Sequence, residues 1–214
     1  MLFAADHSRG RLCFMMANST HLFLPRGILF DMDGTLTEPM LDFPRIKNEM
    51  GIGQRPILEA LAEMDEARRA KAQAILHRHE EEAARCSVLN PGCRDLLDHL
   101  INRGIHTALI TRNSRISVET VLQRHALSIS VLVSREDAAP KPDPAPLRLA
   151  CQRLGITEAE AWMVGDGQYD IEAGSAAGIR TIWVSHGRVR TFDAPPWREV
   201  RDLHELRQML ALQQ

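Results

Sequence analysis

Aromatic residues are scarce in this chain: 5% of its 214 positions, with a single Tyr. That is too few to build a platform on which nucleic-acid bases stack. An excess of either charge is also lacking, with 26 Lys+Arg against 28 Asp+Glu and a formal net charge of -2. A nucleic-acid partner held by a strongly basic surface is therefore not expected. The four cysteines (Cys13, Cys86, Cys93, Cys151) are widely spaced and form neither a CxxC pair nor a zinc pattern. No disulfide framework is expected, and Cys86, Cys93 and Cys151 read as small packing residues in a cytoplasmic protein. No apolar run approaches the roughly 20 residues that cross a bilayer, so no membrane partner is expected. Leu12–Ala17 follows Arg9 and Arg11 as a weak signal peptide would, but it is too short and no clear cleavage site follows. No HExxH occurs, and Gly51-Ile52-Gly53 lacks the strand–GxGxxG–helix setting of a dinucleotide site.

What is present is the composition of a globular domain, 44% hydrophobic and 25% charged. The length suits one substantial core plus a small accessory unit. Residues 1–21 read as a poorly packed tail, within which Met15 or Met16 is a second candidate start. Residues 38–90 carry no strand-like alternation, and Asp65–Arg85 is rich in Ala, Glu, Arg and Gln, all but Asp65 itself favouring a helix. Ala67, Ala70, Ala74, Leu76 and Ala83 form a thin stripe for packing on another helix. Residues 22–37 and 91–214 alternate strand and helix. Gly27–Phe30, Ile105–Ile110, Ile129–Val133, Ala161–Val164 and Ile179–Val184 read as strands. Helices are expected after Asn90-Pro91 (Asn90 as cap), over Ser114–His125, Pro144–Leu154 and Tyr169–Ala177, and along Asp202–Leu212. The implied fold is α/β: a three-layer, doubly wound, mostly parallel sheet with a small all-helical cap inserted after the first strand.

Chemistry in such a sheet collects beyond the carboxyl ends of the strands. Those ends supply Asp31-Met32-Asp33-Gly34-Thr35-Leu36-Thr37, then Thr111-Arg112-Asn113, then Arg135-Glu136-Asp137 with Lys141-Pro142, and finally Gly165-Asp166-Gly167 with Asp170. Side by side, they bring four carboxylates, a Lys and a Thr to one crevice. Carboxylates so crowded call for a cation, and an all-oxygen donor set without His or Cys favours Mg²⁺. Taken singly, a DxD, a Lys-Pro and a Gly-Asp-Gly are ordinary surface or turn sequences; the order and the shared position at strand ends are what point to catalysis.

Asp31–Thr37, Thr111, Lys141-Pro142 and Gly165-Asp166 with Asp170 resemble, in that order, the four signature motifs of the haloacid-dehalogenase-like (HAD) hydrolase superfamily. The placement of the insertion resembles that in phosphoglycolate-phosphatase-like and beta-phosphoglucomutase-like members. The resemblance implies a HAD-like Rossmannoid core and Mg²⁺-dependent hydrolysis of a small phosphate monoester. It makes Asp31 the nucleophile that becomes a phosphoaspartate, and Asp33 the acid that protonates the leaving oxygen and then activates water. It places Thr111 on a phosphoryl oxygen and Lys141 beside both that group and Asp31. Asp31, Asp166 and the backbone carbonyl of Asp33 would hold the metal, with Asp170 supporting them and pairing with Lys141.

The residue chemistry agrees with these roles. Two aspartates at i, i+2 can serve one substrate as nucleophile and acid–base if the chain turns between them, and Gly34 permits a close turn beside the phosphate. Arg112 and Asn113 are candidate substrate contacts, Ser114 is better placed as a helix cap, and Thr35 and Thr37 brace the loop. His186 could rim the crevice. Asp33 argues for phosphoryl transfer over dehalogenation. The cap's only lysines, Lys47 and Lys71, match no imine-forming motif of a phosphonate-cleaving relative. Arg45, Lys47 and Arg55 are candidates for an anionic substrate tail, and a lid this small is expected to admit several small esters. A sugar phosphomutase shares every core residue and stays open as an alternative, as does a non-catalytic phosphate-ester-binding protein. The partner expected is a small phosphorylated metabolite, met by a monomer or homodimer.

Overall fold

The computed structural model describes residues 24–212. The expected tail, the Leu12–Ala17 run, Met15, Met16 and Cys13 lie outside them. Six parallel strands form one sheet: β1 (Gly27–Phe30), β2 (His106–Ile110), β3 (Val131–Val133), β4 (Ala161–Gly165), β5 (Arg180–Val184) and β6 (Arg198–Val200), in the order β3-β2-β1-β4-β5-β6. β1 and β4 are buried along their whole length, as continuous apolar runs in a doubly covered parallel sheet must be. The two edge strands have three residues each, short enough to offer little template for another chain. β6 has no clear sequence signal; the segment before it is held because the Trp197 ring packs on Trp162, their centroids 5.1 Å apart.

Helices α4 (Cys93–Asn102), α5 (Arg115–Arg124) and α8 (Leu203–Ala211) cover one face through Leu96, Leu100, Val118, Val121, Leu206 and Leu210. Helices α6 (Ala145–Leu154) and α7 (Gln168–Ala177) cover the other through Leu147, Ala150 and Ala173. Ile101 and Ile116, apolar residues of α4 and α5, are exposed to solvent, and Ser114 caps α5 as its residue type suggests. Cys93 and Cys151 are buried packing residues whose thiols are pushed up by burial, to about 12 and about 11. Cys86, expected to pack as well, is exposed.

Between β1 and β2 lie α1 (Phe43–Met50), α2 (Ile57–Ala62) and α3 (Glu66–Cys86), which share an apolar core of their own including Ile46, Ile57, Leu61 and Leu76. The stripe expected on α3 holds at Leu76, which is buried, and at Ala83, which is half-buried, and fails at its first three alanines. Ala67, Ala70 and Ala74 are exposed, whereas Ala72, Leu76, His79, Glu80 and Ala84 are buried. The reason is that α3 packs both on the cap helices α1 and α2 and on the core helix α5, so charged residues on its inner face find partners. His79 lies 3.1 Å from the Glu49 carboxylate on α1. Among the described residues no helix is long and apolar enough to cross a membrane.

The chain enters and leaves the cap side by side: Glu38 N–H donates to the Val88 carbonyl and Asn90 N–H to that of Leu36, each at 2.9 Å. Asn90, expected as a helix cap, is not one; Gly92 occupies that position in the left-handed region. Its buried amide instead donates to the carbonyls of Thr35 (2.8 Å) and Thr37 (2.9 Å), binding the exit leg to the loop after β1. Replacing Asn90 by Ala removes the side-chain donor to the Thr35 carbonyl and leaves that of Thr37 with the Gly34 N–H, so Asn90→Ala is expected to lose about 1–3 kcal/mol in a urea unfolding measurement.

Asp137, at the third strand end, braces the approach to Lys141. It accepts from the N–H and O–H of Ser134 (2.8 and 2.7 Å), from Arg115 (2.6 Å) and from Arg153 (3.0 Å). Burial alone would raise its pKa, but these donors outweigh it and hold the carboxyl at about 2. An unfolded Asp titrates near ~3.9, so the stabilisation is complete above that pH and is lost as pH falls through the folded value. Asp137→Asn is expected to cost roughly 1 kcal/mol at pH 7 after solvent screening. The gap to the parent chain should close as unfolding is measured from pH 4 down to pH 2.

Candidate active site

Three central strands end on polar residues pointing into one crevice. Asp31 follows β1, its N–H donating to the Val164 carbonyl of β4 at 2.9 Å, and Thr111 follows β2 with its N–H on Val133 of β3 at 3.1 Å. Asp166 follows β4. The loop beyond β3 carries Lys141 across to this point, through a cis Lys141–Pro142 bond.

Lys141 is 2% exposed and donates to Asp31 Oδ1 (2.6 Å), Asp170 Oδ1 (2.6 Å) and the Ile110 carbonyl (2.8 Å). An ammonium has three N–H donors, and all three are used. Burial disfavours its charged form, yet the carboxylates of Asp170 and Asp31 outweigh it and raise its pKa. Asp170, on the first turn of α7, also accepts from the Gly167 N–H at 3.0 Å, so both its oxygens are engaged. Gly165 is required here: a Cβ at that position would collide with the Asp170 carboxyl.

Asp31, Asp166 and Asp170 each present a carboxylate oxygen, all within 4.8 Å of one another. Burial pushes Asp31 well above the usual carboxylate range, with Lys141 opposing and Asp170 and Asp166 adding to the rise. Burial likewise raises Asp166, against the Arg188 guanidinium that donates to its Oδ2 at 2.9 Å. The cluster is thus short of positive charge, with an all-oxygen donor set, and fits a hard divalent cation. Gly34, at φ +82°, lets the loop pass Asp166 where a Cβ would strike its carboxylate.

Asp33 stands apart from that trio. Its Oδ2 accepts from Asn113 Nδ2 at 2.5 Å. Burial raises its pKa to about 6, opposed by Asn113 and reinforced by Glu80. The Thr111 hydroxyl accepts from the Asn113 N–H at 3.1 Å, which leaves its own hydrogen free to donate. Thr37 braces the loop through Met32 O at 3.2 Å, while the buried Thr35 hydroxyl has no partner.

Arg112 is turned to the cap. Its guanidinium grips both oxygens of Glu59 at 2.9 Å, donates to the Lys141 carbonyl and lies 4.4 Å from the Tyr169 ring centroid. Arg135 makes a second core–cap pair with both oxygens of Glu80, a side chain only 2% exposed. Glu59, Glu80 and Arg188 had no sequence signal, since each gains meaning only across long chain separations. His186 sits beside the crevice with Nε2 2.7 Å from the Gly34 carbonyl, to which it donates. Arg45 and Arg55 are spent on Glu49 and Glu63 at the cap surface. Lys47 reaches the cavity wall and donates to the Gln54 carbonyl at 3.2 Å. The cavity between crevice and cap, open to one side, measures about 500 Å³.

The haloacid dehalogenase-like hydrolase family matches residues 25–178. A haloacid dehalogenase-like hydrolase domain-containing protein of Arabidopsis thaliana is 34% identical over 170 residues, covering 73% of this chain and 69% of that one. A phosphoglycolate phosphatase of Pseudomonas putida is 29% identical over 192 residues, covering 77% and 71%. The crystal structure of a hydrolase from Pseudomonas syringae superposes with a TM-score of 0.74 over 87% of this chain and 98% of that one; at 19% identity it speaks for the fold. With the family matched across the strand ends that carry Asp31, Thr111, Lys141 and Asp166, and with helices inserted after β1, the chain belongs to the haloacid dehalogenase-like hydrolases, in the phosphoglycolate-phosphatase-like branch with a helical cap.

Proposed function

We propose that this chain is a Mg²⁺-dependent phosphatase that hydrolyses a small phosphate monoester through a phosphoaspartate on Asp31. The observation that carries the reading is the Lys141 ammonium shared by Asp31 and Asp170, with Asp33 held separately by Asn113. Lys141 fixes Asp31 Oδ1 and leaves Oδ2 to attack phosphorus. As the bond from phosphorus to the leaving oxygen breaks, Asp33 gives that oxygen its proton; a carboxyl titrating near 6 holds a proton for an appreciable fraction of the time near neutral pH. Asp33 then takes a proton from the water that attacks the phosphoaspartate, which frees inorganic phosphate and restores Asp31.

The Thr111 hydroxyl would orient a phosphoryl oxygen and the Lys141 charge would offset its negative charge, with the side chain of Asn113 beside them. Arg112 acts in this reading from behind, holding the cap residue Glu59 against the loop that carries Lys141. The metal would be held by Asp31, Asp166 and the Asp33 carbonyl, with Asp170 supporting. When bound, it supplies positive charge that offsets repulsion between Asp31 and the phosphate. The enzyme is proposed to act in the cytoplasm, as a monomer or homodimer.

Steady release of inorganic phosphate from a panel of phosphorylated metabolites is the expected result; an isomerised sugar phosphate in its place would make the chain a mutase. Asp31→Asn should lose at least about 1,000-fold in turnover and show no covalent phosphate by intact mass. Asp33→Asn should lose about 100- to 10,000-fold yet accumulate the phosphorylated chain. Equal activity of Asp31→Asn and the parent sinks the assignment. Mg²⁺ should also raise the melting temperature of the parent chain, and Asp166→Asn should remove most of that rise.

A further inference from the structure

Asp166 is met from the β5 side by a tight turn. Past Ser185, His186 and Gly187 take left-handed backbone angles (φ +50° and +75°), a conformation that a residue with a Cβ such as His186 adopts at a cost. The Arg188 N–H closes the turn on the Ser185 carbonyl at 2.9 Å, and His186 Nε2 donates to the Gly34 carbonyl at 2.7 Å. Gly34 in turn passes against the Asp166 carboxylate. The Arg188 side chain is braced as well, its Nε donating to the Ser185 carbonyl at 3.0 Å. Its Nη2 then reaches Asp166 Oδ2 at 2.9 Å. Surface ion pairs contribute little because water screens both partners; here the Arg188 side chain is 51% exposed, but that of Asp166 only 16%.

This guanidinium stands where positive charge is short. The Lys141 ammonium spends its three hydrogens on Asp31, Asp170 and the Ile110 carbonyl and leaves none for Asp166. Yet Asp166 shares with Asp31 and Asp170 the cluster that fits a divalent cation. Arg188 and such an ion draw on the same carboxylate, and two cations brought to one ligand repel each other. By linkage the effect is mutual: what Arg188 takes from the ion's affinity, the ion takes from the Arg188 contact.

We infer that Arg188 is a built-in counter-ion of the metal site: it offsets Asp166 while the ion is away, holds the affinity for Mg²⁺ down, and loosens from Asp166 when the ion binds. The ion is thereby kept exchangeable. This inference rests on the metal reading given above, and it needs no turnover.

Calorimetric titration of Mg²⁺ into the full chain, without substrate, tests it. Arg188→Gln is expected to bind Mg²⁺ at least about 5-fold more tightly than the parent. Arg190→Gln removes a cation of the same loop that lies over the Phe192 ring instead, and it should leave the affinity unchanged. Melting curves give a second readout: a fixed Mg²⁺ concentration should raise the melting temperature of Arg188→Gln by more than that of the parent. Equal or weaker binding by Arg188→Gln, or the same tightening in Arg190→Gln, would overturn the inference and keep the metal site. Absence of Mg²⁺ binding in both the parent and Arg188→Gln would defeat the metal site with it, whereas binding by Arg188→Gln alone would support both. A chain that binds Mg²⁺ in the expected order but hydrolyses no phosphate ester keeps this inference and defeats the phosphatase.

Discussion

A single buried ammonium organises the catalytic half of this molecule. Removing an ion from water carries a penalty of several kcal/mol, and Lys141 can be buried only because Asp31, Asp170 and the Ile110 carbonyl each accept one of its hydrogens. These three acceptors come from the ends of β1, α7 and β2, which are distant in sequence. Their meeting depends on the strand order β3-β2-β1-β4-β5-β6, with β1 flanked by β2 and β4. The constraint runs in both directions. The sheet sets the acceptors in place, and an uncompensated charge on either side would penalise any other register of the loop beyond β3. A substitution that keeps charge but not shape, such as Arg for Lys141, would bring five donors in a flat fork to a site with three acceptors.

One ammonium does not balance the acids around it. Asp31, Asp166 and Asp170 converge with only Lys141 and the half-exposed Arg188 against them, and the upward pKa shifts of Asp31 and Asp166 record that shortage. Asp33 is kept out of the cluster by Asn113, two residues past Thr111. The loop after β1 thus sends one aspartate to Lys141 and the next to Asn113, beside Glu80. Burial raises both carboxyls, but only Asp31 has an ammonium against it, so two identical side chains are set in different surroundings for different roles.

Much of this was readable before the fold was known. Continuous apolar strands bounded by Gly and Pro imply a parallel sheet, and a parallel sheet collects its strand ends, so Asp31, Thr111, Lys141 and Asp166 could be placed together from local pattern and one topological rule. The failures share a cause. Ala67, Ala70 and Ala74 have the apolarity of an inner face of α3 yet are exposed, because apolarity alone does not decide burial. The true inner face carries His79 and Glu80, and they are buried because Glu49 and Arg135 meet them from elsewhere in the chain. Asn90 looked like a helix cap because its type and the following proline fit one. Its amide binds two carbonyls more than fifty residues earlier, a partner no local window contains. β6 is three residues long and stands on the Trp162–Trp197 contact rather than on its own alternation.

The contacts that escaped the sequence are those that join cap to core, and they carry a consequence for how the two halves can vary. Glu59 is bound by Arg112, the neighbour of Thr111; Glu80 is bound by Arg135, in the loop that leads to Lys141. Each pair therefore links a cap helix to a loop that positions a site residue. Removing one member of a buried pair leaves an unpaired charge, which costs far more than the pair contributes. The Glu80 side chain, at 2% exposure, is the stricter case. Phe43 on α1 and Leu58 on α2, at the cavity wall, carry no such tie, whereas Ile57 beside them belongs to the cap's own apolar core. Change is thus mechanically easiest at Phe43 and Leu58 on the apolar wall of the cavity and hardest at Glu59 and Glu80, which tie the cap to the loops that position Thr111 and Lys141.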